Sequence, residues 1–593
     1  MNGQKSAAEL VKKAYLKLLP VQILGMVITA VNSFIDSIIV GRFLGTEAMA
    51  AIGFYGPVSN VIWVVNILII GIQILCGQYI GSGEGKKVVS LFSTGVVFIG
   101  GAAALFSAGC LLFRYPLAAF LGARGDTVQL LADYIAGCSI GIVGQLLTAL
   151  LSGFLPLNNE VKRSYLGIAV TTVVNITLDI LFVTVIPLGV LGTGLATSLS
   201  YLLTMVIVFA AFIPSDRAVY FRFGNFCFGT LLRAAYLGLP SLLFTLGCTA
   251  KSLIMNQTMM TLIGHEAVAV MNVQNSLVCI LGAIPQGAAN SFLTLGSIYY
   301  GEKDRSSLLA AMRYGLKLGV ALSVAAMAAL MVSAPVLPSI FFDRADSAWE
   351  ICRQMLLIFP SFLAFNTIYN LLTKGYQCQG KMTFLNGMTV AEQVLTALLA
   401  VAGARALGAN GVWIAFPLGQ IVCIAIIGIS VFLFAGKITF SLPDWLKLDS
   451  KFGASEDECL EFSVASMEDV VNISRKITAF CEEKGLDDRS GMVAGLCVEE
   501  MAGNVVLHGF QPGEKHSLDI RIVIQEYLTI RIRDDCRAFD PRKRLDQFHP
   551  EDPAKNVGIR MIARLAKEMN YQNSVGINTV LINVGSTTQP RKH

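Results

Sequence analysis

Residues 31–53 read VNSFIDSIIVGRFLGTEAMAAIG, an apolar run with a single carboxylate, Asp36, at its centre and a glycine-bounded polar break after it. The run ends an apolar stretch that begins after Lys12 and Lys13 and reaches about Val40. That is long enough to cross a bilayer, which takes roughly 20 residues. It is longer than a signal-peptide core and has no small-residue cleavage site. The same pattern returns further along the chain. GTEAMA from Gly45 recurs as GHEAVA from Gly264, YLKLLP ending at Pro20 as YLGLP ending at Pro240, and YIGSGEGKK around Gly81 as YYGEKDR around Gly301. Gly167 matches Gly387 and Gly192 matches Gly411, so the offset stays at 219 or 220 throughout. Chance likeness among apolar segments would not hold one offset.

Up to about residue 436 the chain is a series of such segments. Twelve are predicted, centred near residues 27, 62, 100, 142, 172, 203, 246, 282, 324, 361, 394 and 422. They form two parallel six-helix repeats, about 10–214 and 230–436, within a membrane unit 1–436. The interface between such repeats is the usual substrate path. Composition agrees. Charged residues make up 14% of the 593, about half the usual globular share. A net charge of +5 is too small and too dispersed to imply nucleic acid. The 13 cysteines form no CxxC or Cys/His cluster, which argues against a zinc site or a disulfide framework. Lys and Arg cluster before the first segment and after every even one (Lys86, Lys87, Lys162, Arg163, Arg217, Arg222, Lys303, Arg305, Lys374, Lys381). The other loops carry fewer: Arg42, Arg114, Arg124, Arg344 and Arg405. Both termini are therefore expected in the cytoplasm, with the protein in the cell (inner) membrane.

After Phe434 the character changes. Residues 437–456 read as a polar linker carrying Pro443 and Trp445, and 457–593 as a soluble α/β sandwich. LEFSV alternates like a strand, 467–484 and 488–508 have helical periodicity, and LDIRIVIQEYLTIRIRDD reads as a hairpin. A helix is expected over 556–569 and a closing strand at GINTVLINV.

Ionisable residues deep in apolar segments are costly and mark ion or substrate pathways by default. Asp36, Asp179, Lys251 and Glu392 are such residues. Asn175 lies one helical turn before Asp179, and Thr197 lies on the next segment. Two carboxylates with amide and hydroxyl oxygens can pass a proton or wrap Na⁺; equally, they can serve as polar staples between helices. Lys251 and Glu392 can pair with each other, line a substrate cavity, or lie nearer an interface.

The segment around Asp36, its repeat, and the GQYIGSGE loop resemble the multidrug and toxic compound extrusion (MATE) family over residues 10–436. In the DinF-like branch a first-helix Asp, an Asn-x-x-x-Asp on the fifth helix and a Thr on the sixth form a cation site. Asp36, Asn175, Asp179 and Thr197 stand at the matching positions. Their second-repeat counterparts fall near Asn256, Leu395, Leu399 and Phe416, so both carboxylates belong to one lobe. The resemblance implies export of small organic, often cationic, compounds by H⁺ or Na⁺ antiport.

In the C-terminal part, LCVEEMAGNVVLHGF sets Glu500, Asn504 and His508 on one helical stripe, with Glu499 rotated off it. Such a carboxylate can orient water or a hydroxyl, and an Asn oxygen can ligate Mg²⁺. Asp534 follows a strand, where a buried carboxylate can accept the adenine amine. Gly558 opens a helix whose amides suit phosphate. The order resembles the GHKL ATPases, most closely the anti-sigma serine-kinase branch. The resemblance implies ATP and Mg²⁺ as ligands, Glu500 as catalytic residue, Asn504 as Mg²⁺ ligand, and His508, Asp534 and Gly558 in the ATP site. Gly576 and Asn578 would open the closing strand. Cys536, Ala538 and Asn556 replace glycines usual in the family, which weakens the case for turnover. The expected function is secondary efflux with a cytosolic ATP-binding regulatory domain. The alternatives are a membrane-anchored serine-kinase or anti-sigma-like switch, with an anti-anti-sigma-like (STAS) partner, and a lipid or oligosaccharide flippase. A flippase would want several cavity cations, and only Lys251 offers itself.

Overall fold

A computed structural model describes residues 2–525, 527–544 and 557–586. Eleven single helices of the membrane unit are long and apolar enough to cross a bilayer, and the pair Asp126–Ser139 and Ile142–Phe154, bent by 45°, supplies the fourth of twelve spans. The bend falls at Gly141, whose Cα leaves no room for a side chain beside Ser198 of the sixth span. Helix Asp488–Gly509 also passes on length and hydropathy. It is no span: its apolar side, including Ala494, Cys497, Val498 and Ala502, packs in the core of the C-terminal sheet.

The first span is one helix, Asn2–Phe43, with Pro20 inside it. Ahead of Pro20 it leans on the second repeat, where the Tyr15 hydroxyl donates to Ala288 O at 2.7 Å. Beyond Pro20 it packs with the fifth span of its own repeat, where Asn32 Nδ2 donates to Thr172 Oγ1 at 3.4 Å. The two repeats meet about their symmetry axis through the second and eighth spans, Glu47–Gly81 and His265–Gly301. A Cβ on Gly81 would overlap the Ile298 carbonyl, one on Gly301 the Gln78 carbonyl, and one on Gly77 the side chain of Ser297. Each of these pairs joins near-equivalent positions of the repeats. Small residues allow this backbone approach, on which helix packing in lipid depends.

The C-terminal domain is a five-stranded antiparallel sheet in the order β1-β2-β3-β5-β4. Its strands are β1 (Cys459–Val464), β2 (Leu518–Ile524), β3 (Tyr527–Asp534), β4 (Glu568–Ser574) and β5 (Ile577–Ser586). Helices Met467–Glu483, Asp488–Asn504 and Val557–Leu565 cover one face through Ile520, Ile522, Ile530, Ile532 and Ile582.

Three expectations need correction. The helix expected over 556–569 stops at Leu565, and Glu568–Ser574 is the edge strand β4. The sequence EMNYQNS is too polar to show alternation, and it is a strand because β5 pairs with it. The stripe on the second helix becomes a π turn, Val505–Gly509, which leaves His508 exposed. The segment expected as a polar linker, 437–456, is in part folded and buried. Leu442–Trp445 is a short helix, Leu446 and Leu448 are buried, the Tyr376 hydroxyl donates to Trp445 O at 2.6 Å, and Phe452 stacks on Tyr300 with centroids 4.9 Å apart. Asn556 lies outside the described residues.

Candidate functional sites

Asp179 and Asn175 share a face of the fifth span, and both are buried. Asn175 Nδ2 donates to Asp179 Oδ2 at 3.0 Å and approaches Thr197 Oγ1 of the sixth span at 3.4 Å. The half-buried Asp36, from the first span, lies within hydrogen-bonding reach of Asp179. All four residues thus come together from three spans. Asp36 Oδ1 and Asp179 Oδ1 are both shielded from solvent, and with both carboxyls ionised neither oxygen has a donor among the described residues. Two carboxyls side by side at membrane depth can share one proton or hold a cation between them. Tyr134, Cys138 and Tyr201 stand close enough to feel these carboxylates and were not singled out from sequence. Their signal was faint: each is a mildly polar residue in an apolar span.

Lys251 and Glu392 lie near each other in the second lobe without a direct ion pair. Lys251 Nζ sits over the Phe416 ring, 5.8 Å from its centroid. Glu392 is buried and accepts from Gln393 Nε2 at 2.9 Å and Gln420 Nε2 at 2.8 Å. The two glutamines were missed, although a Gln inside each of two apolar spans was visible.

In the domain, Asp534 ends β3 and is buried. Its Oδ1 accepts from Cys536 N at 2.9 Å and from Asn578 Nδ2 at 2.7 Å. Burial pushes the Asp534 carboxyl up, and the Asn578 and Cys536 bonds pull it back. Asn578 is oriented in turn by Tyr571 and Asn573 of β4, each 2.7 Å from its Oδ1, and neither was found from sequence because β4 was not. Glu500 and Asn504 are half-buried on the second helix. The Glu500 carboxylate lies so close to Gly558 that a Cβ there would overlap it. A carboxylate is stable at that helix start, and a triphosphate reaching the same amides has to displace it. A buried carboxylate fixed by an amide fits the adenine end of ATP, while the space beside Gly558 is taken by Glu500 in this arrangement. The exposed His508 has no contact to this group among the described hydrogen bonds and ion pairs.

Two family models match the chain. The MatE model covers residues 22–181 and 240–402, and a "Histidine kinase-like ATPase domain" model covers 464–584. The chain is 23% identical over 381 residues to the "Probable multidrug resistance protein YoeA" of Bacillus subtilis (strain 168), covering 61% of this chain and 80% of that protein. Among solved structures it is similar to a mutant of the Vibrio cholerae MATE transporter VcmN (19% identity, TM-score 0.65, 70% of this chain and 95% of that one). It is also similar to a MOP superfamily transporter from Pyrococcus furiosus Vc1 (22%, TM-score 0.64, 72% and 96%). These structural likenesses concern the fold of the membrane unit.

Proposed function

We propose that this chain, which belongs to the MatE family and carries a histidine kinase-like ATPase domain at its C-terminal end, exports small organic, chiefly cationic, compounds by antiport against H⁺ or Na⁺. The observation that carries the reading is the convergence of Asp36, Asn175, Asp179 and Thr197 from three spans, with the two carboxyls beside each other. A proton on either carboxyl gives that pair an O–H donor. A Na⁺ instead would take oxygens from Asp36, Asp179, Asn175 and Thr197. Either ligand draws the first span toward the fifth and sixth. Its release leaves two like charges that repel, which favours the opposite arrangement of the lobe. The lysine and arginine bias of the loops supports a cytoplasmic position for the domain and both termini.

The test is transport of a cationic dye by the full chain in proteoliposomes, with H⁺ and Na⁺ gradients imposed separately. Dye movement driven by one of them is expected; none with either, over a panel of organic cations, removes the antiport reading.

Glu392 and Lys251 supply polar contacts for substrate in the second lobe. Glu392→Gln removes the charge and keeps one acceptor, with the second glutamine partner turning its amide to accept, so the preference between cationic and neutral compounds should move by about tenfold while the coupling ion stays the same. Competition uptake measures this, and an unaltered profile would count against the cavity role.

The domain binds ATP–Mg²⁺ as a regulator. ATP supplies an adenine amine for Asp534 and a phosphate chain for the Gly558 end of the last helix. Asn504 would hold Mg²⁺, and Glu500 would orient the attacking group if turnover occurs. Transport itself draws on the ion gradient, since no P-loop sequence is present. A STAS-type partner fits the same reading of the domain.

A further inference from the structure

One face of the domain's sheet carries the helices; the opposite face is charged. Asp519 and Arg521 on β2 and Arg531 and Arg533 on β3 alternate with the core isoleucines and therefore project to that opposite side. Arg521 stands directly across from Arg531 in the register, a like-charge pairing that destabilises an isolated sheet. Within the sheet Arg531 pairs with Asp519 at 3.2 Å and Arg521 lies 3.6 Å from Glu461, and the membrane unit supplies the remaining carboxylates. The turn between the eighth and ninth spans inserts Asp304, fully buried, between the arginines. Arg521 Nη1 reaches Asp304 Oδ1 at 2.5 Å, Arg531 Nη1 reaches Oδ2 at 2.5 Å, and Arg533 Nη1 lies 3.3 Å from Oδ2. Arg533 also pairs with Glu302, donates to Ser307 Oγ at 3.1 Å and lies over the Tyr299 ring. Burial alone would raise the Asp304 carboxyl; Arg531 and Arg521 override it and hold Asp304 well below the usual carboxylate range.

The first repeat is held by a different device. The β4–β5 hairpin turns through Val575 (φ 57°) and Gly576 (φ 75°), both left-handed as a two-residue turn of this kind requires. Asn, Asp or Gly is favoured in that turn, and a β-branched residue is strained in it. Val575 is 1% exposed and belongs to the same buried cluster as Leu155 and Leu157 of the loop between the fourth and fifth spans. Its N–H donates to Pro156 O at 3.0 Å. Valine at that turn position is explained by burial in the membrane unit and by nothing inside the domain. Lys543 Nζ adds an exposed bond to Asp216, after the sixth span, at 2.9 Å.

We propose that the C-terminal domain is a brace: seated by Val575 on the first repeat and by the Arg521–Arg531–Arg533 clamp on Asp304 of the second, it ties the two lobes together on its own side of the membrane and favours the state closed there. The inference rests on the transporter reading. One rigid sheet spans both attachments, and the lobes already meet on that side at Gly77, Gly81 and Gly301. They cannot separate there unless one attachment lets go. The nucleotide site is close to a third contact. Asp535, next to Asp534, pairs with Lys13 of the first span, the helix that also carries Asp36. Nucleotide in the domain and ion at Asp36 can therefore bias the same closure, and by linkage each must affect the other's binding.

The experiment uses the full chain in nanodiscs, with fluorophores introduced through unnatural amino acids at the exposed positions Lys162 and Thr383, near-equivalent starts of the fifth and eleventh spans. Their distance distribution reports closure on the domain side. Val575→Asn supplies a residue the turn prefers, so the domain keeps its fold while the apolar seat is lost. Arg531→Ser with Arg533→Ser removes the clamp from a sheet face that is solvated once undocked. Each should raise the long-distance population by about tenfold. Identical distributions in wild type, Val575→Asn and the double arginine variant would overturn the brace. If these variants shift the distribution and Mg–ATP does not, the brace stands and the nucleotide-regulation reading falls.

Discussion

Asp36→Asn should reduce gradient-driven dye efflux to the level of empty liposomes while the protein inserts and folds normally. The substitution keeps the shape and removes the group proposed to exchange the coupling ion. Stability should hold or rise, because a carboxylate at membrane depth is costly and an amide at the same place can still bond Asp179. Asp179→Asn should have the same effect on efflux. Its own Asn175 bond, 3.0 Å, remains possible through the new side chain's carbonyl. If the two carboxyls act as one site, as proposed, the double variant should be no worse than either alone. Counterflow exchange of dye without an imposed gradient separates a coupling defect from loss of the substrate path. Efflux at wild-type rate in either single variant, at matched incorporation, would remove these residues from the coupling step.

Asp534→Asn should weaken ATP binding to the full chain by about 10- to 100-fold, the worth of a charge-assisted hydrogen bond to the adenine amine. The fold should survive, since Asn can still accept from Cys536 N and Asn578 Nδ2 through its carbonyl. Asn504→Ala, by contrast, should flatten the dependence of binding on Mg²⁺ and leave adenine selectivity intact. Titration calorimetry with ATP, and with ATP in the presence of a chelator, distinguishes the two effects. Equal nucleotide affinity in wild type and Asp534→Asn would exclude Asp534 as the adenine acceptor. Cys536 stands where the family commonly has glycine and is itself buried, packed toward Gly509. Glycine there therefore trades a packing contact for backbone freedom.

Much of the architecture was legible along the chain because it is written in local, periodic terms. The twelve spans follow from hydropathy and length, and the two repeats from an offset that persists from Pro20–Pro240 to Gly192–Gly411. The fourth span's bend was not visible, because it depends on Gly141 meeting Ser198 across the lobe. Hydropathy alone also misleads for Asp488–Gly509, where the apolar side of the helix faces a sheet and not lipid. Asp36, Asn175, Asp179 and Thr197 could be named because a carboxylate in an apolar run is costly wherever the run packs. Their convergence was a tertiary matter, as was the recruitment of Gln393 and Gln420 to Glu392.

The sequence by itself determined the membrane unit, its repeat, the carboxylates it buries and the strand-and-helix order of most of the attached domain. Hydrophobic period, span length and the cost of charge in lipid act on neighbours in the chain. Only the tertiary structure decided the edge strand β4, which is polar and exists through its pairing with β5. It also decided the seating of the domain on both lobes. Arg531 and Asp304 are 227 residues apart, and neither has a local reason to be buried. Each alone would be a costly desolvated charge. They are stable as a group, with Asp519, Arg521, Arg533 and Glu302, once the fold brings the sheet against the turn.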